Sequence, residues 1–190
     1  MSTYKSTKII GVAQLTQFFV AVDKHLTTSA KIVIIGGSAA AFHGATSMTN
    51  DVDTFEQTGA DLENAIERAR EETGLSIPIS PAGVAQIPYN SEDRFDKCLP
   101  QLKKLEVFIL ERHDLALSKT LRGHEHDEQQ IKEIHQANPL DFDILVPRFK
   151  DEMLPICVGD PARIRAQFLD LIEQLFGGLH RARAEKMLRR

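Results

Sequence analysis

The stretch that most constrains this chain is an apolar run, Ile32-Val33-Ile34-Ile35, that enters Gly36-Gly37-Ser38 and is followed by Asp51-Val52-Asp53. A buried strand, a glycine turn, an alanine-rich helix (Ala39, Ala40, Ala41) and a second strand bearing Asp-x-Asp are the elements it specifies. In a strand, positions i and i+2 point to one face, so Asp51 and Asp53 are expected side by side, with Val52 turned into a core. Two neighbouring carboxylates repel unless a cation neutralises them. Mg²⁺ is the natural candidate, because it takes carboxylate oxygens and completes its shell with substrate phosphates. Glycines without Cβ let a polyphosphate approach the backbone, and a helix start beyond Gly37 and Ser38 offers N–H groups to an anion. Neither Gly-Gly nor Asp-x-Asp alone specifies a site; their order and spacing together point to a nucleoside triphosphate and its metal.

The chain has 190 residues, room for one substantial domain or a core with a helical appendage. Its net charge of −4 gives no bulk attraction to nucleic acid. Arg181, Arg183, Lys186, Arg189 and Arg190 against Glu185 make the C-terminus locally basic. Two readings stand for it: a solvated or frayed helix, and an arm that holds RNA or an acidic partner. Cys98 and Cys157 are isolated and suggest neither a zinc site nor a disulfide framework. No long apolar span or leader pattern is apparent, so a cytoplasmic protein that does not engage the membrane is expected.

Apolar spacing predicts helices over 12–26 and 60–73, the first strand over 31–36, a short helix over 38–44 and the second strand over 51–55. Pro78, Pro81 and Pro88 argue against regular structure over 76–94, apart from short edge strands near Val84 to Ile87. A third core strand covers 104–110 and carries Glu106 on the face of Phe108. Helices follow: from Asp114 to Gly123, over 125–137, over 141–148, and from Pro161 to Gly177. The expected fold is α/β (α+β), a mixed sheet flanked by helices. Its core is expected over residues 1–111, with a helical portion packed on it over 112–190.

Lys119 lies in an otherwise apolar helical segment. Its stem lies along the core with its ammonium in water, or its charge meets triphosphate oxygens. Asp127 is a surface carboxylate near a helix start, a base for a substrate hydroxyl, or a group that orients Lys119. His43 and His113 lie near these motifs without marking a catalyst. His124, Glu125 and His126 lack metal geometry, because i and i+2 on a helix do not face each other.

The segment IVIIGGSAAAFHGATSMTNDVDTF over 32–55 resembles the signature of the nucleotidyltransferase superfamily, the polymerase-beta-like fold. DLALSKTLRGHEHDEQQI over 114–131 resembles the lysine and aspartate motifs of the AbiEii-type toxin branch and its uncharacterised bacterial relatives. The resemblance implies a Mg²⁺-dependent nucleotidyltransferase in which Gly36, Gly37 and Ser38 hold the triphosphate and Asp51 and Asp53 hold the metal. Lys119 matches the motif lysine, with a role in catalysis and in binding the nucleotide, and Asp127 the late catalytic aspartate. Thr49 matches a motif threonine. Glu106 is the candidate for the third metal carboxylate that the superfamily places on a later strand. Ser47 stands where an arginine is frequent, and His126 precedes Asp127 where Arg or Lys is usual. The resemblance further implies the toxin of a toxin–antitoxin pair, with tRNA or another RNA, or a small molecule, as acceptor and an antitoxin protein as partner. A catalytically silent nucleotidyltransferase-like module that binds a nucleotide or a partner is the alternative that Ser47 motivates.

Overall fold

Leu15, Phe18, Phe19 and Val22 recur at helical spacing, and they form the buried stripe of helix α1 (Val12–His25). The computed structural model describes residues 10–45, 49–82, 86–123 and 125–189. Ser47, His124, Arg190, and Val84 and Ala85 of the expected edge strand lie outside the described residues. Among the described residues the chain divides into two units: one takes 10–42, 49–82 and 95–110, the other 43–45, 86–94 and 111–189.

The first unit is built on a mixed sheet of five strands: β1 (Ala30–Ile35), β2 (Val52–Thr54), β3 (Ile79–Pro81), β4 (Asp96–Cys98) and β5 (Leu105–Ile109). Their order is β3-β2-β1-β5-β4, with β1 antiparallel to β2 and parallel to β5. The β-branched run of β1 puts it in the middle, where Ile32 to Ile35 are all buried. The short helix α2 (Gly36–Phe42) follows β1 directly, so the helix begins two residues before its expected start. Helix α3 (Ala60–Thr73) has the expected bounds and ends on Gly74 in the left-handed conformation. α1 and α3 pack together, and each large apolar side chain fully buried there contributes roughly 1.5–3 kcal/mol.

The expectation of irregular structure over 76–94 is corrected by β3. Pro78 and Pro81 do not prevent it, because β3 is a three-residue edge strand, and an edge tolerates a missing N–H. β4, at the other edge, carries the exposed charges Asp96 and Lys97 and has no apolar alternation to announce it. Asp23 of α1 accepts the backbone N–H groups of Lys103, Lys104 and Leu105 and fixes the entry of β5.

The second unit is helical: α4 (Arg112–Arg122), α5 (Glu125–Ala137), α6 (Phe142–Arg148), α7 (Pro161–Phe176) and α8 (Gly178–Leu188). A π turn, Phe149–Met153, follows α6. Asp141 and Asp160 cap α6 and α7, each accepting the N–H two residues on, and Pro161 occupies the first helical position. Phe149 and Phe168 stack with ring centroids 3.8 Å apart in the core of this unit. The basic C-terminal segment forms α8, packed on α7 rather than frayed. Arg181 pairs with Asp170 and Glu173, and Arg183 pairs with Asp143 while lying over the Phe142 ring. Much of that charge is therefore met within the unit. Among the described residues no helix is long and apolar enough to cross a membrane.

Candidate active site

The glycine turn and the acidic couple meet within the first unit. β1 and β2 pair with Ile35 opposite Asp53, which brings the end of β1 to the start of β2. Gly36 turns the chain from strand to helix at φ +67°, a conformation that L side chains rarely adopt. The Asp53 carboxylate occupies the space a side chain would need: a Cβ on Gly36 would lie 2.5 Å from Asp53 Oδ2. The glycine is therefore required twice, for the turn and for the carboxylate.

Ser38 is fully buried, and its hydroxyl donates to the Asp51 carbonyl at 2.6 Å. Thr49 Oγ1 donates to the same oxygen at 3.0 Å. The two hydroxyls clamp the backbone just ahead of β2. The Ser38 side chain thus faces the acidic segment, because α2 starts early enough to turn it inward. Val52 and Thr54 are buried while Asp51 is exposed and Asp53 half-buried, so the expected alternation is present. Asp51 and Asp53 bring hard carboxylate oxygens of the type Mg²⁺ accepts, and the Asp53 carboxylate lies in the glycine cradle that a Cβ would fill.

Glu106 does not join them. Its partner in the sheet is Lys31, and Ile109 pairs with Ile34, so Leu110 comes level with Ile35 and Asp53. Four residues of strand separate Glu106 from that level, about 13 Å along β5. Its carboxylate is exposed and bound to Lys97 Nζ at 2.6 Å. The sheet neighbours of Asp53 are Ile35 and Ser80. Among the described residues no group of three or more His, Cys, Asp or Glu is disposed to hold a metal.

In the second unit, Lys119 is 1% exposed. Its ammonium does not reach water: it donates to Asp127 Oδ1 at 3.0 Å and to Gln130 Oε1. Asp127, also buried, takes a second cation, Arg122, at 2.7 Å. Among the described residues, Asp127 Oδ2 and Gln130 Nε2 find no hydrogen-bond partner. Through Oδ1, Asp127 holds the Lys119 ammonium in place. A cavity of about 130 Å³ lies beside the pair, lined by Lys119, Thr120, Gly123, Ile131 and Gln167 among others.

A larger polar network in the same unit had no sequence signal. Glu111 caps α4, accepting from the His113 and Asp114 N–H groups. His113 is buried, with Nδ1 2.6 Å from Glu111 Oε1 and Nε2 accepting the Asp141 N–H at 2.8 Å. A backbone N–H only donates, so Nε2 is the unprotonated nitrogen and Nδ1–H points at Glu111. Arg148 bridges Glu111 and Asp114, and Arg94 bridges Asp114 and Glu152. Burial alone would push the Glu111 carboxyl up; the hydrogen bonds from His113 and Arg148, with the Arg148 charge, outweigh it and hold it at about 2. These residues are scattered from Arg94 to Glu152, and each taken singly resembles a surface charge.

No curated protein matches the chain, and no solved structure matches it. A family model does, over residues 12–170, which covers both glycine–aspartate and lysine–aspartate segments. It carries the nucleotidyltransferase part of the resemblance and does not single out the AbiEii branch. On that match the chain belongs to the family described as nucleotidyltransferase of unknown function (DUF6036).

Proposed function

We propose that the chain moves a nucleoside monophosphate from a nucleoside triphosphate to an acceptor hydroxyl, with Mg²⁺ held by Asp51 and Asp53. The single observation that carries this reading is the packing of the Asp53 carboxylate against Gly36, with Ser38 and Thr49 clamping the Asp51 carbonyl. That packing supports reading the glycine turn and the acidic couple as one site. Bound Mg²⁺ supplies charge neutralisation on the α-phosphate and the leaving pyrophosphate. Gly36 and Gly37 leave room for the polyphosphate, and Ser38 and Thr49 act as positioning residues that fix Asp51. Lys119 and Asp127 enter as a paired unit that joins α4 to α5 rather than as groups in contact with the triphosphate. The AbiEii-type resemblance supports a toxin of a toxin–antitoxin pair acting on tRNA or another acceptor, and a neighbouring reading frame for a small antitoxin would support it further.

The experiment is transfer of radiolabel from an α-labelled triphosphate to total RNA and to small hydroxyl acceptors. Asp51→Asn and Asp53→Asn should abolish transfer while the far-UV circular dichroism stays that of the parent. Equal transfer by the folded variants would refute the assignment.

One observation favours a second reading, a silent nucleotide-binding module: Ile35 and Ser80, not a third carboxylate, flank Asp53 in the sheet. Triphosphate binding in a calorimeter without transfer to any acceptor would decide for it.

A further inference from the structure

The sheet face that carries Asp53 has a second chemistry beside the acidic couple. By strand alternation, Lys31, Val33 and Ile35 of β1 share that face with Asp53, Glu106 and Phe108, and Lys97 pairs with Phe108 across β4 and β5. Phe55 follows Asp53 by two residues on the same face, and its N–H bonds to the Val33 carbonyl. Phe55 and Phe95 come from opposite sides of β1 and meet edge to face, with centroids 5.7 Å apart. Lys31 Nζ lies 5.0 Å from the Phe108 ring centre and 5.9 Å from that of Phe95, and Lys97 Nζ lies 5.8 Å from Phe108. All three rings are half-exposed and both lysines are exposed. The lysines share one counter-charge, Glu106.

Exposed aromatic rings with ammonium groups resting on them, two cations against one carboxylate, suit a ligand that offers flat π faces and phosphates together. Single-stranded nucleic acid does: its bases stack on aromatic side chains and its phosphates take lysines, while a duplex hides the faces. A protein partner would ask for a larger, drier apolar patch than three half-exposed rings under two charges. We infer that Phe55, Phe95 and Phe108 with Lys31 and Lys97 form a platform for the unpaired end of a nucleic-acid acceptor, leading to Asp51 and Asp53. This rests on the transfer reading for its purpose, and on the sheet geometry alone for its place.

The test is fluorescence anisotropy of a short labelled single-stranded oligoribonucleotide against the whole chain, over a salt series, with the matching duplex as comparison. Phe108→Leu keeps the volume and loses the π face, and should weaken single-strand binding about tenfold. Lys31→Gln, an exposed change that leaves the fold intact, should lower the slope of log affinity against log salt by about one. Mg²⁺–triphosphate binding by the parent chain is measured alongside. If the triphosphate does not bind while both variants weaken oligonucleotide binding as stated, the platform stands and the transfer reading falls. The platform is overturned by any of three results: no oligonucleotide binding, unchanged affinity and salt slope in both variants, or a duplex bound as tightly as the single strand.

Discussion

Replacing Asp127 by Asn separates a structural pair from a catalytic one. The substitution keeps the size of the side chain and a carbonyl oxygen near Lys119 Nζ, but removes the charge. Lys119 is 1% exposed and donates to the Asp127 carboxylate at 3.0 Å, so the substitution takes that counter-charge away from a buried ammonium. Breaking a buried pair in this way costs about 3–5 kcal/mol. For a chain of this length that is a fall of about 6–20 °C in melting temperature. Lys119→Met should cost less, because Asp127 retains Arg122, whose side chain is 46% exposed and free to adjust. The double variant Asp127→Asn/Lys119→Met buries no unpaired charge and should regain most of what Asp127→Asn alone loses. Thermal unfolding by circular dichroism on all three variants gives the coupling directly. If Asp127→Asn melts with the parent while triphosphate binding or transfer disappears, the pair is a reaction group and the structural argument is wrong.

Gly36→Ala places a methyl 2.5 Å from Asp53 Oδ2 at φ +67°, so it should cost about 1–2 kcal/mol in backbone strain and also displace the carboxylate. Mg²⁺-dependent triphosphate binding should fall by more than the loss of stability explains, which calorimetry on the folded protein checks. Ser38→Ala removes one of two donors to the Asp51 carbonyl, with Thr49 remaining, and should destabilise by about 0.5–1.5 kcal/mol, read by urea unfolding. Glu111 has a folded-state pKa held down at about 2, against an ordinary value of 4.5. A lowered carboxyl stabilises the fold above its unfolded-state value and stops doing so as pH falls through the folded one. The stability gap between the parent and Glu111→Gln should therefore be full at neutral pH and shrink from about 4.5 down to about 2, in denaturant titrations across that window.

Periodicity was sufficient wherever one side of an element is buried and the other solvated. The bounds of α3 and the position of β1 follow from Leu62, Ala65, Ile66 and Ala69 and from the β-branched run before Gly36. It failed at the edges, where β3 and β4 have three residues each and prolines or charges in place of alternation. In the site, spacing alone indicated the alternation of Asp51, Val52 and Asp53, with Val52 buried and the two aspartates less so. It did not indicate that Ser38 faces the acidic loop, because that depends on α2 starting at Gly36. Glu106 fits a metal carboxylate by type and strand; its register, four residues from the level of Asp53, is set by pairing with β1 and is invisible in a single strand. The sequence leaves Lys119 open to water or to phosphate, and its burial against Asp127 and Gln130 follows from the packing of α4 on α5.

The central claim is that Asp51 and Asp53 hold Mg²⁺ for a triphosphate laid on the glycine turn. Titrating the chain with a non-hydrolysable triphosphate, with Mg²⁺ and with excess chelator, tests it most directly. Binding that requires Mg²⁺ and is lost in folded Asp53→Asn is the predicted result. Equal binding with and without the metal, or in Asp53→Asn as in the parent, would contradict it.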